Sequence, residues 1–192
     1  GTPQADFFED GIRVVSNRNA STLNCGQDFC NYGTYLMDDR GGLIPLGTPI
    51  WVWGKFYEYA PGAPIEILFH GYRGHANREM SGAVRRCHSL GHSALIVDQR
   101  ACGKSGGNVI SFGINERRDC LSWIDFIIKE LGTDTKIILC GISMGAATVL
   151  MAAGEELPDN VIGVLADCGY NSARDIICSV IKKLHLPPTL CY

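Results

Sequence analysis

An alternation that begins near residue 50 constrains this chain more than any other feature. Short continuous apolar runs at residues 65–69, 93–97, 137–140 and 161–166 are separated by longer stretches of helical periodicity. Apolar runs without polar alternation read as strands covered on both faces. Between them, residues 77–90 place Met80, Val84 and Cys87 on one face, and Gly91 closes the helix. Residues 115–131 repeat Cys120, Leu121, Ile124, Ile127, Ile128 and Leu131 at the 3.6 period, with Asn115 as the expected cap and Gly132 as the stop. Residues 144–153 form a helix of small side chains. Residues 172–184 turn Ile176, Ile177, Val180, Ile181 and Leu184 inward, and Ser172 with Asp175 resembles a capping box. Strands and helices in this order predict an α/β fold, a mostly parallel sheet with helices on both faces. Chemistry in such sheets gathers beyond the carboxyl ends of the strands.

The chain divides near the start of this alternation. Residues 1–49 are rich in Gly, Asn and Asp with little periodicity, and at most short strands are expected at 13–15 and 35–37. Residues 50–192 carry the core, opened by an aromatic extended stretch at 50–59 that ends at Pro61-Gly62. Of 192 residues, 46% are hydrophobic and 19% charged, which excludes disorder as the main state. A net charge of −3 supplies no basic field for nucleic acid. No apolar run approaches the roughly 18 residues of a membrane span. Gly1-Thr2-Pro3-Gln4 lacks the basic and apolar regions of a signal peptide. Asn19-Ala20-Ser21 fits the glycosylation triplet, but the expected compartment argues against its use. Nine cysteines cannot all pair, none forms C-x-x-C, and no Cys/His cluster has metal spacing. A reducing, cytoplasmic setting is expected, with no metal and no cofactor.

The strand ends carry the chemistry. The third run ends in Gly141-Ile142-Ser143-Met144-Gly145, a G-x-S-x-G between strand and helix. This is the context a nucleophile elbow requires: a serine on a tight turn, flanked by residues too small to clash, with a helix amino end behind it. The first run ends in His70-Gly71-Tyr72-Arg73-Gly74. Glycines there allow close backbone approach, so the N–H of Tyr72 and that of Met144 are the candidate oxyanion donors. His70 reads as a structural part of the turn. The second run leads into Asp98-Gln99-Arg100-Ala101-Cys102-Gly103-Lys104-Ser105-Gly106. Gly103-Lys104-Ser105 mimics the end of a phosphate loop, but Asp98 stands where the leading glycine is needed, so nucleotide binding is rejected. Asp98 and Arg100 are expected to pair and brace this loop. The fourth run ends in Asp167, either an acid that orients a histidine or a loop-bracing carboxylate. His185 is the single histidine after Ser143, and reads as a base or as a last-turn cation.

These four strand-end motifs, in this order, resemble the α/β-hydrolase superfamily, and within it the serine aminopeptidase-like branch of small acyl hydrolases. The resemblance spans about residues 50–190. It implies a nucleophile at Ser143, an oxyanion hole from the Tyr72 and Met144 amides, and a small-molecule or short peptide acyl substrate. It also implies an acid and a histidine after the nucleophile, on strands later than residue 166 and beyond a cap near Leu186-Pro187-Pro188. Those positions are not in the sequence, so a C-terminally truncated core is expected, with last strands and cap missing. Asp167 and His185 are the stand-ins in chain order. The strand at 161–166 is then expected at a sheet edge, open to self-association. Two functions follow. One is a serine hydrolase acting on an ester, thioester or amide through an acyl-enzyme, with this chain alone expected to be weakly active or inactive. The other is a non-catalytic hydrolase-like domain that serves as a binding or interaction module.

Overall fold

The computed structural model describes Ala5–Phe8, Gly11–Ser16, Leu36–Met37, Leu43–Ile44 and residues 50–187. These contain strands β1 (Ala5–Phe8), β2 (Gly11–Ser16), β3 (Leu36–Met37), β4 (Leu43–Ile44), β5 (Ile50–Tyr57), β6 (Ile65–Phe69), β7 (Ser93–Asp98), β8 (Ile137–Ile142) and β9 (Val161–Asp167). The helices are α1 (Ala76–Glu79), α2 (Ser81–Ser89), α3 (Glu116–Leu131), α4 (Met144–Ala153) and α5 (Ala173–Lys183). Asn19-Ala20-Ser21 and Pro188 lie outside the described residues.

One sheet runs in the order β1-β2-β5-β7-β6-β8-β9, and β3 pairs separately with β4. From β5 onward it is mostly parallel. β6 pairs in parallel with both β7 and β8, and β8 with β9, while β5 lies antiparallel to β7. The partner of β5, for which the sequence offered no assignment, is β2, antiparallel through Val14↔Val52. β6 is buried at every position, as a strand with helices on both faces must be. Ile65, Ile67 and Phe69 pack with Leu95, Val97, Ile137 and Leu139 under α3 and α4. Leu68, Ile96, Cys140 and Trp53 pack on the opposite face, under Met80, Val84 and Cys87.

The helix expected at 77–90 is two helices. Met80 ends α1 at φ −99° and ψ −4°, and α2 starts at Ser81. The first turn is held by contacts outside its own periodicity: Ala76 N donates to Asp98 Oδ1 at 2.7 Å, and Glu79 Oε2 accepts from Gly71 N at 2.9 Å. Asn115 precedes α3 without a side-chain cap bond. The next residue, Glu116, instead gathers Ser111 N, Ser111 Oγ and Gly113 N at 2.7–2.8 Å, which fixes the approach to the helix. Ser172 does cap α5, its Oγ accepting from Asp175 N at 3.0 Å.

The loop after β7 is braced differently from the expectation. Asp98 does not pair with Arg100. Its carboxylate accepts from Ala76 N and Lys104 N, while Arg100 makes a buried two-pronged pair with Asp119 of α3 at 2.7 and 2.6 Å. A nearer opposite charge loses to a partner that matches both guanidinium N–H groups. Burial alone disfavours the Arg100 charge, and Asp119 more than compensates. Gly103-Lys104-Ser105 is a strap: Ser105 Oγ donates to Asp98 O at 2.6 Å and accepts from Trp53 N at 2.8 Å. On the other face, the buried Glu66 carboxylate meets Arg86, His92 Nδ1 and Cys140 Sγ. Burial raises its pKa, but the hydrogen bonds from His92, Cys140 and Arg86 win and hold it below the usual carboxylate range.

The strand order places a switch point at β6. The chain leaves β6 toward β7 under α1 and α2, then crosses back to β8 under α3. The carboxyl ends of β6 and β8 therefore stand side by side where ligands bind such sheets. His70 closes β6. It is fully buried, its Nε2 accepts from Gln99 N at 3.0 Å, and its Nδ1 meets Gly71 O at 2.7 Å. These partners define the neutral Nδ1–H tautomer.

Two consequences are measurable. Asp119→Ala leaves Arg100 buried without its partner and is expected to cost about 3–5 kcal/mol in urea unfolding; a loss below about 1 kcal/mol refutes the brace. Burial lowers the His70 pKa from its ordinary 6.5. The unfolded chain therefore takes up that proton first, so the His70 contribution is full above the ordinary value and is lost as pH falls toward the lowered one. The stability gap between the parent and His70→Asn should narrow as unfolding is repeated from about pH 7 to about pH 5. A gap independent of pH removes His70 from this role.

Candidate active site

Ser143 stands between β8 and α4 with φ 52° and ψ −111°, a left-handed backbone that side chains rarely adopt. The flanking glycines explain how the chain reaches it. A Cβ on Gly145 would overlap the Phe69 carbonyl, and a Cβ on Gly141 would overlap the Gly145 carbonyl. α4 can therefore lie against the ends of β6 and β8 only with hydrogen at both places. Ser143 N donates to Asp167 O at 2.8 Å and Ser143 O accepts from Ala147 N at 3.1 Å, so β9 and the first turn of α4 lock the bend. The first amides of α4 have no intrahelical acceptor and point toward the strand ends.

The turn after β6 lies beside this serine. A Cβ built on Gly71 would stand 3.7 Å from Ser143 Cβ. The turn closes through Gly74 N to Gly71 O at 3.1 Å, and Glu79 fastens it through Gly71 N. Gln99 joins it to the elbow. Its Nε2 donates to His70 O at 2.6 Å, and its Oε1 lies 2.8 Å from Thr148 Oγ1, whose one proton is shared between Gln99 Oε1 and Met144 O, 3.0 Å away. One buried chain of hydrogen bonds thus runs from the β6 turn to the first turn of α4.

Ser143, Tyr72 and Met144 line one cavity of about 330 Å³. Its other walls are Phe112, Tyr170 and four residues of α5: Ile176, Ile177, Val180 and Ile181. Asp167 and His185 are not among them. Asp167 is exposed at the end of β9, accepts from Cys168 Sγ at 3.2 Å, and borders a different groove beside Met80 and Leu165. His185 is exposed past α5 at φ 55°. Among the described residues no hydrogen bond or ion pair joins either of them to Ser143 Oγ or to the other.

Glu79, Gln99, Thr148 and Phe112 escaped the sequence reading. Thr148 offered a weak signal, a hydroxyl in an otherwise apolar helix five residues after Ser143. Phe112 offered none, because its value lies in its pairing: it stacks on Tyr72 with ring centroids 5.3 Å apart and planes at 20°. The cysteines Cys87, Cys102, Cys120, Cys140, Cys168 and Cys178 are free thiols. Burial pushes Cys102 up to about 11 and Cys87 up to about 12, far from reactive thiolates. No helix among the described residues is long and apolar enough to cross a membrane. No cluster of metal-ligating side chains occurs among them either.

Comparison with known proteins agrees with this architecture. The chain is similar to the esterase Pf2001 of Pyrococcus furiosus, with a TM-score of 0.61 and 21% identity over 81% of this chain and 56% of that one. It is similar to mouse alpha/beta hydrolase domain-containing protein 10, with a TM-score of 0.52 and 28% identity over 74% of this chain and 52% of that one. The uncharacterized protein YqkD of Bacillus subtilis (strain 168) is 35% identical over 81 residues, 42% of this chain and 27% of YqkD. The chain thus spans about half the length of these solved structures and about a quarter of that curated relative. The model of the family described as serine aminopeptidase, S33 matches residues 64–175, from the start of the parallel strands to the first turn of α5. A match of that extent, on a sheet whose switch point carries a G-x-S-x-G turn, makes this chain a member of the serine aminopeptidase S33 family of α/β hydrolases.

Proposed function

We propose that the protein is a serine hydrolase that cleaves an ester, thioester or amide bond through an acyl-enzyme on Ser143. The left-handed backbone of Ser143 at the head of α4, beside the Gly71 turn, carries this reading. Ser143 Oγ attacks the carbonyl carbon, and the carbonyl electron pair moves onto oxygen. The N–H groups of Tyr72 and Met144 receive that oxyanion, a contribution of about 2.7–4 kcal/mol per donor. The Oγ proton passes to a histidine held by an acid, then to the leaving alcohol, thiol or amine as the bond breaks. Water repeats the sequence, releasing the acid and restoring Ser143. The substrate is a small molecule or short peptide, and no cofactor takes part. Asp167 and His185 are the stand-ins for that acid and histidine in chain order, and neither lines the cavity.

One observation favours a second reading, a non-catalytic module. Among the described residues, no histidine is hydrogen-bonded to Ser143 Oγ. Such a module would use surface rather than chemistry. Among the described strands β9 lies at one edge of the sheet, with Ile162 and Leu165 more than half exposed, which suits pairing with a second chain.

A serine-directed fluorophosphonate separates the two readings. The catalytic reading expects labelling of the parent and none of Ser143→Ala. Well-folded parent that stays unlabelled sinks the acyl-enzyme and leaves the module.

A further inference from the structure

We propose that the groove across the Tyr72–Phe112 stack from Ser143 is a second subsite, which takes an anionic oxygen group, carboxylate or phosphate, at one end of the substrate. Arg73 binds that group, with His75 beside it. The proposal rests on the acyl-enzyme reading of Ser143 and deepens it by giving the substrate a charge.

The location follows from shared walls. Tyr72 and Phe112 line the cavity that contains Ser143, and both also line a separate groove between the turn after β6 and the loops on either side of residue 107. The stacked rings are thus a partition between the two. The Tyr72 N–H, a proposed oxyanion donor, belongs to that partition. A substrate whose carbonyl meets it is held at the boundary, with Ser143 on one side and the groove on the other. The class of occupant follows from the charges. Arg73 and His75 line the groove, and no carboxylate side chain lines it among the described residues. Arg86, Arg100 and Arg117 each meet a carboxylate. Arg73 is exposed, and its guanidinium lies 5.3 Å from the centre of the Tyr72 ring. An arginine laid on an aromatic face keeps its N–H edge available for a pair of oxygens. The carboxylates behind Gly103 and Gly74 are those of Asp98 and Glu79. They accept from backbone N–H groups of Ala76, Lys104 and Gly71, and leave the Arg73 and His75 side chains unneutralised.

The three loops around the groove are held in conformations that side chains rarely adopt. Arg73, Ala101 and Phe112 line it at φ 55°, 58° and 54°. Each loop is fastened from within. Gly74 N closes the first on Gly71 O, Asp98 holds Lys104 N of the second, and Glu116 holds Ser111 and Gly113 on either side of Phe112. Backbone strain kept in place by neighbours is typical of ligand clamps. Cys102 lines the same groove, and burial pushes its thiol up to about 11, so it adds no negative charge to repel an anion.

The test compares esters that differ in charge, each rate normalised to alkaline hydrolysis. 4-Acetoxybenzoate and 4-acetoxyphenyl phosphate carry the anion on the alcohol side, with 4-acetoxybenzamide as the neutral partner. Monophenyl adipate carries it on the acyl side, with phenyl hexanoate as the neutral partner. At least one anionic ester is expected to exceed its neutral partner about tenfold in kcat/KM, and the arm that does so identifies the group. Arg73→Gln should bring that ratio to within about twofold of one, and Arg73→Lys should keep part of it. Arg85→Gln, an exposed change on α2, should keep all of it. A purely structural Arg73 would lower charged and neutral esters alike and leave the ratio intact, which overturns the assignment. A readout without turnover accompanies this. The amide analogues 4-acetamidobenzoate, 4-acetamidophenyl phosphate and N-phenyladipamate are titrated into Ser143→Ala by calorimetry. The one that binds should weaken about tenfold when Arg73→Gln is added. Equal rates for charged and neutral esters in a protein that fluorophosphonate labels refute the subsite and leave the acyl-enzyme. Arg73-dependent binding in a protein that stays unlabelled keeps the subsite and removes the acyl-enzyme. Neither labelling nor binding removes both.

Discussion

The approach of Gly145 to the Phe69 carbonyl is the constraint on which the rest depends. It brings the head of α4 against the end of β6, and so sets Ser143 beside the Gly71 turn. Any side chain at Gly145 would force the two elements apart. The strained Ser143 backbone is a consequence: the chain must leave β8 and enter α4 within a single residue. That strain persists because β9, α4 and the β6 end determine the bend from three sides.

Three buried polar side chains below this bend are paired across it. His70, Gln99 and Thr148 tie the two turns together inside the protein, where an unmet donor or acceptor would cost more than the bond supplies. Arg100 and Asp119 fix the loop after β7 to α3, and Glu116 of the same helix holds the turn that carries Phe112. α3 therefore does two jobs. Its apolar stripe closes one face of the sheet, and its charged first turns position the loops above the strand ends.

How much of this was legible in the sequence depends on how local the cause is. β6 and α4 were readable to the residue, because complete burial of a strand and a run of small residues leave plain patterns. The tight turn at Gly141-Ile142-Ser143-Met144-Gly145 was readable for the same reason, since backbone sterics act within five residues. The break at Met80 was not, because its causes, Gly71 and Asp98, lie outside the helix. Asp98 and Arg100 looked like a pair by proximity, and the buried geometry of Asp119 overruled that. The strand β2 was hidden among residues of weak periodicity, and only its register with β5 gives it meaning. The cavity wall was the least legible part: Ile176, Val180 and Ile181 looked like core positions, and the same periodicity serves a helix that covers a cavity.

The placement of the aromatic residues has an optical consequence. The three tryptophans, Trp51, Trp53 and Trp123, all lie on β5 or on α3, with Trp123 against Gly54 of β5. The cavity holds none; its aromatic residues are Tyr72, Phe112 and Tyr170. Indole emission therefore comes from both faces of β5, from Trp123 on the α3 face and from Trp53 on the opposite face under Met80 and Val84. The indoles of the molecule thus belong to its scaffold, and the aromatic lining of the cavity beside Ser143 is phenol and phenyl rings alone.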